Sequence, residues 1–143
     1  MRKIDTLIFL VVWQILSYNN NIWKDTYTKL IWQDEKYTID EIKASNFNKI
    51  GNLNHAKKYC KNLHIGNYSD WYLPRIEQLE KLYFKKTHLK NVDYSFEYWS
   101  SSKATNDDEN YNRFWTIDFS NGFMGNYTGK HSLLIRCVRD DDE

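Results

Sequence analysis

A chain of 143 residues is the size of one ordinary domain and leaves no room for a second packed core. The apolar share of 41% is near the globular norm, but aromatics reach 17%, with 6 Trp and 11 Tyr, which suits short strands and loops better than a helical bundle. A formal charge of +1, with no basic run beyond ordinary surface lysine, excludes a global field that would draw nucleic acid.

The chain opens on the basic Met1-Arg2-Lys3 and an apolar run from Leu7 to Trp13, which Gln14 interrupts before Ile15-Leu16. That run has the length of a signal-peptide core and falls short of the roughly 20 apolar residues of a spanning helix. Residues Ser17 to Asn21 offer no small-residue cleavage pair. Three readings compete: a cleaved signal, an uncleaved signal anchor, and a strand of the domain, the last supported by the β-favourable Val11-Val12-Trp13. The expectation carried forward is a signal peptide or anchor over 1–20 and one domain over 21–143. It places the protein outside the cytoplasm, in the periplasm, at the cell surface or secreted.

Leu30-Ile31-Trp32 reads as a strand that ends in the polar Gln33 to Lys36. From Leu53, apolar positions recur at Ala56, Tyr59, Cys60 and Leu63, a helical spacing with Asn52 or Asn54 as cap, and Gly66 lies just past its last turn. A second helix follows Pro74, with Ile76, Leu79, Leu82 and Tyr83 on its apolar stripe. The pattern is then weak as far as Phe96. Trp99 and the run Ser100 to Ser102 read as a strand edge giving way to a loop, and Thr105 to Asn112 as a long polar loop.

The last third carries the clearest β signal. Trp115, Ile117 and Phe119 alternate with Phe114, Thr116 and Asp118, and Asn121-Gly122 marks a tight turn. Phe123 to Tyr127 returns as the partner strand, weakened or bulged at Gly125. A final strand, Leu133 to Val138, puts Leu133, Ile135 and Cys137 on one face.

Cys60 and Cys137 stand 77 positions apart, with no C-x-x-C and no His at ligand spacing, so a zinc site is not indicated. In an exported protein they read as one disulfide, closing a loop worth roughly 4 kcal/mol, and in a cytosolic one as two free core thiols. The expected class is α+β: two helices packed on short antiparallel strands.

Segments in order from residue 30 to 139 resemble the Lcl C-terminal domain family. They are Leu30 to Asp34, Ala56 to Leu63, Gly66-Asn67-Tyr68-Ser69-Asp70-Trp71-Tyr72-Leu73-Pro74, Tyr98 to Ser102, Trp115 to Gly122, and Ile135 to Arg139. The resemblance implies a C-type-lectin-like fold in which Cys60 of the first helix pairs with Cys137 of the last strand. It also implies Asp70, Trp71, Leu73, Pro74, Trp99, Trp115, Asn121, Gly122 and Arg136 as the structural motif. The family takes its name from a collagen-like bacterial adhesin whose C-terminal domain is associated with sulfated glycans, and no Gly-x-y repeat stands in this chain. Two positions depart from the pattern. Tyr72 replaces a usual Arg, and Arg75 replaces the Thr that usually caps the second helix, which leaves Gln78 with half a capping box.

Trp71, Trp99 and Trp115 could stack on sugars, but their motif context favours the core. Trp23 and Tyr111 are the better stacking candidates, and Tyr72 and Arg139 complete the candidate ligand-binding set. Asp70, Arg136 and Arg139 could read an anion. The competing role is that Asp70 and Arg136 bond backbone or each other and hold a loop over the core. Asp107, Asp108 and Glu109 are weak calcium candidates against the plain reading of a solvated loop. The sugar-binding motifs of calcium lectins are absent, so no metal or other cofactor is expected.

His55, His64, His88 and His131 share no metal spacing, and the serine run has no nucleophile-elbow context. Formylglycine-generating enzymes share a distantly related fold and work through reactive cysteines, which here are read as a staple. What the resemblance implies for function is an exported, non-catalytic, adhesin-like binding module for a glycan or another cell-surface polymer. The alternative is a structural or protein-interaction domain of the cell envelope on the same scaffold. Partners are a glycan or a surface protein, with no nucleic acid and no membrane beyond an N-terminal anchor.

Overall fold

Short strands from the two ends of the domain share one sheet in the computed structural model, which describes residues 21–104 and 112–142. Strand β1 (Ile22–Asp25) pairs antiparallel with β2 (Leu30–Gln33), setting Trp23 opposite Trp32. The turn between them is held by the Asp25 carboxylate, which accepts the Tyr27 N–H at 3.1 Å and the Thr28 hydroxyl at 2.7 Å. Strand β8 (Val138–Asp140) closes this sheet in the order β1-β2-β8.

Helix α1 (Ile39–Lys43) is one short turn stabilised by a reciprocal capping box between Thr38 and Glu41. It leads to β3 (Ile50–Gly51) and then α2 (Leu53–Lys61), where the expected cap Asn52 accepts the His55 N–H at 2.9 Å. Helix α3 (Ile76–Tyr83) and a single 3₁₀ turn (Lys86–His88) precede β4 (Tyr98–Lys103), β5 (Arg113–Ile117), β6 (Met124–Thr128) and β7 (Leu133–Leu134). The second sheet runs β3-β7-β4-β5-β6. The fold is α+β, with three α-helices among the described residues and two sheets. One disulfide, Cys60–Cys137, joins α2 to the segment before β8.

Several expectations change. Among the described residues three α-helices are present where two were expected. The serine run is not a fraying edge: Ser100 to Ser102 lie in β4, the central strand of the larger sheet, where the Ser100 hydroxyl donates to the Trp115 carbonyl at 2.6 Å. One pairing, β4 with β7, is parallel. The expected strand from Leu133 to Val138 splits into β7 and β8 because its two ends belong to different sheets. Between them the chain crosses over, with Ile135 N–H on the Lys49 carbonyl and Cys137 N–H on the Gln33 side-chain oxygen. Strand β6 runs unbroken through Gly125. The lost threonine cap on α3 is replaced from across the fold: the Ser102 hydroxyl accepts the Ile76 N–H at 2.9 Å, while Gln78 accepts that of Arg75 at 2.9 Å.

All six residues from Leu133 to Val138 are buried, and they separate two cores. Leu133, Ile135 and Cys137 pack with Ile31, Leu53, Cys60, Trp71 and Trp99. Leu134 and Val138 pack with Trp32, Leu79, Leu82, Tyr98 and Phe119.

Candidate functional site

The N-terminus of α2 is drawn onto the loop after β6 by a bond from the Leu53 N–H to the Gly129 carbonyl at 2.9 Å. The approach is close: a Cβ on Gly129 would stand 3.3 Å from that of Leu53. Beside this contact, the first residues of β5 and the last of β6 complete the walls of a surface cleft of about 620 Å³. Asn52 caps the helix that carries Asn54 and Lys57, Asn112 leads into β5 with Phe114, and Thr128 ends β6 with Lys130 in the loop after it.

Among the described residues the lining holds two lysines and no carboxylate. The first turn of α2 carries no acidic residue, so its partial positive charge meets no anion of its own helix, although the Leu53 and His55 N–H groups are taken by the Gly129 carbonyl and the Asn52 side chain. The Lys57 ammonium stands 5.0 Å from the centre of the half-buried Phe114 ring. Chemically the cleft offers amide donors and acceptors, a hydroxyl, two cations and one aromatic face. That set suits a hydroxyl-rich ligand bearing negative charge.

The residues singled out in the sequence are not brought together there. Trp23 is half-buried on the smaller sheet and stacks on His88, with ring centres 5.4 Å apart and planes 6° from parallel. The Tyr72 hydroxyl donates to Asp140 at 2.7 Å and accepts from Gln78 at 3.0 Å, and its backbone bridges Val138. Burial, reinforced by the bond to Asp140, raises its pKa above the usual tyrosine value. Arg139 is committed to Asp70 through two bonds of 2.6 and 3.1 Å, and its guanidinium lies 3.9 Å from the Tyr68 ring centre. The bond from Arg139 holds the Asp70 carboxyl below the ordinary aspartate range.

Arg136 does not pair with Asp70. Fully buried, it donates to the Gln33 carbonyl at 2.6 Å and to the Asn91 carbonyl, with Asp34 at 3.7 Å. It does hold a loop over the core, the one that contains Asn91. Trp71 and Trp99 are core residues, each with its indole N–H on a carbonyl, of Tyr68 and Gly51 respectively. Trp115, expected in the core, is only half-buried and belongs to neither cluster, although its neighbour Phe114 packs against the first. Leu73 and Pro74 are buried, and the Pro74 carbonyl accepts the Ser101 N–H. Gly122, at a φ of 78°, lets the turn after Asn121 close against the Tyr83 ring. Tyr111, Asp107, Asp108 and Glu109 lie outside the described residues. Among the described residues no cluster of His, Cys, Asp and Glu could hold a metal.

Sequence reasoning missed the cleft because its residues come from three stretches that look like ordinary solvated positions. It also missed Gln33 and Asp34, read as the polar end of a strand. Both are buried. Gln33 bonds Tyr59, Glu35 and Cys137, and the Asp34 carboxylate accepts the N–H groups of Lys90 and Asn91.

These features define an α+β fold of two sheets, closed by one disulfide between its first long helix and its last segment and carrying an open polar cleft. The model of the Lcl C-terminal domain family matches residues 21–139, and the chain belongs to that family. No curated protein matches it.

Proposed function

We propose that the protein is an exported, non-catalytic binding module that recognises a glycan or another cell-surface polymer, and that the cleft beside α2 is its binding site. The observation that carries this reading is the cleft's lining: Lys57 and Lys130 with amide side chains, at a helix N-terminus and with no carboxylate among the described residues. Export is supported by the disulfide and by the apolar run Leu7 to Trp13. We read the scaffold as C-type-lectin-like, as the family resemblance implies.

The test is retention of the full chain on immobilised sulfated, carboxylated and neutral polysaccharides over a salt series, with and without a chelator. Saturable binding to the anionic polymers that weakens with salt is expected. The Lys57→Ala, Lys130→Ala double variant should lose at least roughly tenfold in affinity. Equal binding by the double variant would remove the cleft from the reading, and loss on chelation would move the site to Asp107, Asp108 and Glu109.

A second reading is a structural or protein-interaction domain of the envelope without sugar binding. It is favoured by Tyr72 and Arg139, whose polar groups are taken up by partners within the fold. No retention of folded protein on any polysaccharide is the outcome that selects it.

A further inference from the structure

Aromatic rings and lysines alternate along one end of the molecule, away from the cleft. Tyr27, 89% exposed, has the Lys85 ammonium 4.7 Å from its ring centre. Phe84, 78% exposed, is in edge contact with Tyr83 at 5.2 Å. Lys86 places its ammonium 4.5 Å from the centre of Tyr83 and 5.8 Å from that of Tyr94, which is 55% exposed. Gly122 lies against the Tyr83 ring, and the next residue is Phe123, 65% exposed. Three separate stretches, around residues 27, 84 and 123, thus present large aromatic tips on one belt, although no one of them reads as a motif.

One stretch of the belt carries charge of a single sign. Residues 81–92 contain Lys81, Lys85, Lys86 and Lys90 and no carboxylate. Asp25 neutralises Lys85, but Lys86 is bonded to the Phe119 carbonyl and keeps its net charge. The nearest acids flank the stretch: Glu80 precedes it, and Asp93 and Asp118, bonded to the Ser95 N–H and to Ser120, keep their charge at its margins.

We propose that this belt docks on the anionic interface of a lipid bilayer. Phenylalanine tips suit the boundary between headgroups and acyl chains, tyrosines suit the headgroup level, and lysines reach the phosphates. A protein partner fits the composition less well, because the cores of protein interfaces are depleted in lysine. The entry of the chain into the fold points the same way. Asn21 bonds Asp34, Trp23 stacks on His88, and Asp34 holds Lys90 and Asn91, so residues 21–23 sit on the turn that carries the belt. Only the residues from Gln14 to Asn21 separate that point from the apolar run ending at Trp13. The belt lies at the closed end of the β5–β6 hairpin and the cleft at its open end, five residues or roughly 15 Å along the strands. A domain docked through the belt would turn the cleft away from the membrane.

The experiment is co-sedimentation of the full chain with vesicles of phosphatidylcholine containing phosphatidylglycerol, against pure phosphatidylcholine, over a salt series. The Phe84→Ser, Phe123→Ser double variant carries the same N-terminal run, so the difference between the two proteins reads the belt alone. Wild type should favour the anionic vesicles and lose that preference as salt rises. The double variant should partition at least roughly tenfold more weakly. The proposal is overturned if the anionic lipid gives wild type no advantage, a result that needs no variant. It is equally overturned if the double variant binds as wild type does. If the substitutions instead turn a dimer into a monomer and leave vesicle binding unchanged, the belt is a contact between copies of the chain.

Discussion

The two cores on either side of Leu133 to Val138 are built from the same strip of chain but held by different means. Residues of one parity enter a core that is apolar and covalently stapled, with Cys137 bonded to Cys60 among Trp71, Trp99 and Leu53. Residues of the other parity enter a core organised around a charge. Arg136 stands between the Tyr37 and Tyr98 rings at 5.7 and 5.5 Å and binds two carbonyls, with Asp34 close by. Burial alone would favour the neutral form of Arg136, but Tyr37, Tyr98 and Asp34 outweigh it and raise its pKa. A sheet-crossing segment can therefore be buried on both faces if each face has its own way of fixing position. A cross-link needs no particular geometry of polar neighbours, whereas a buried guanidinium dictates where each acceptor must lie.

The comparison is broken most severely by removing the staple. For cysteines 77 positions apart, the chain-entropy relation gives a loss of about 4.5 kcal/mol in the Cys60→Ala, Cys137→Ala variant. Chemical denaturation with and without reductant measures it. A loss below about 1 kcal/mol would mean that apolar packing alone holds the first core.

The next largest effect is expected on the other side. Arg136→Met keeps length and apolar contact but leaves Asp34, the buried Gln33 carbonyl and the half-buried Asn91 carbonyl without the guanidinium. A loss of about 3–4 kcal/mol follows from breaking a buried pair on one side only. Amide exchange should show the effect concentrated in the loop that holds Asn91 and in β4, which carries Tyr98. If exchange instead rose evenly through both cores, the charge would not be organising the second one.

The same contrast explains which parts of the fold were legible in the sequence. Helices α2 and α3 were readable because each buries one stripe at a 3.6-residue period, and the β5–β6 hairpin because its turn residues stand between alternating strands. The split of the last strand was not readable. With both faces buried, Leu133 to Val138 shows an almost continuous apolar run, and period two carries no information about where one sheet ends. Helix α1 spans too few residues to display a period, and β3 has two. Gln33 and Asp34 look like surface polar residues until the N–H donors supplied by Lys90, Asn91 and Cys137 are in place. The cleft failed for a different reason: Lys57 sits on the expected wet face of its helix, and only the pairing of β5 with β6 brings Phe114 and Thr128 beside it.

The smallest effect is expected from the second arginine of the closing segment, and it sharpens the distinction between a charge that organises a core and one that covers it. Arg139 pairs with Asp70, whose side chain is 59% exposed, so solvent screens the attraction. Asp70→Asn should therefore cost less than about 1 kcal/mol at neutral pH. The sign with pH is fixed by the direction of the shift. The folded-state pKa of Asp70 is depressed, so the contribution is complete above the ordinary aspartate value and is lost as pH falls through the lower folded value. Denaturation of wild type and Asp70→Asn across the acid range should give curves that differ slightly at neutral pH and converge in strong acid. A gap as large as that of Arg136→Met, or one that widens on acidification, would show that Asp70 and Arg139 serve the interior rather than its rim.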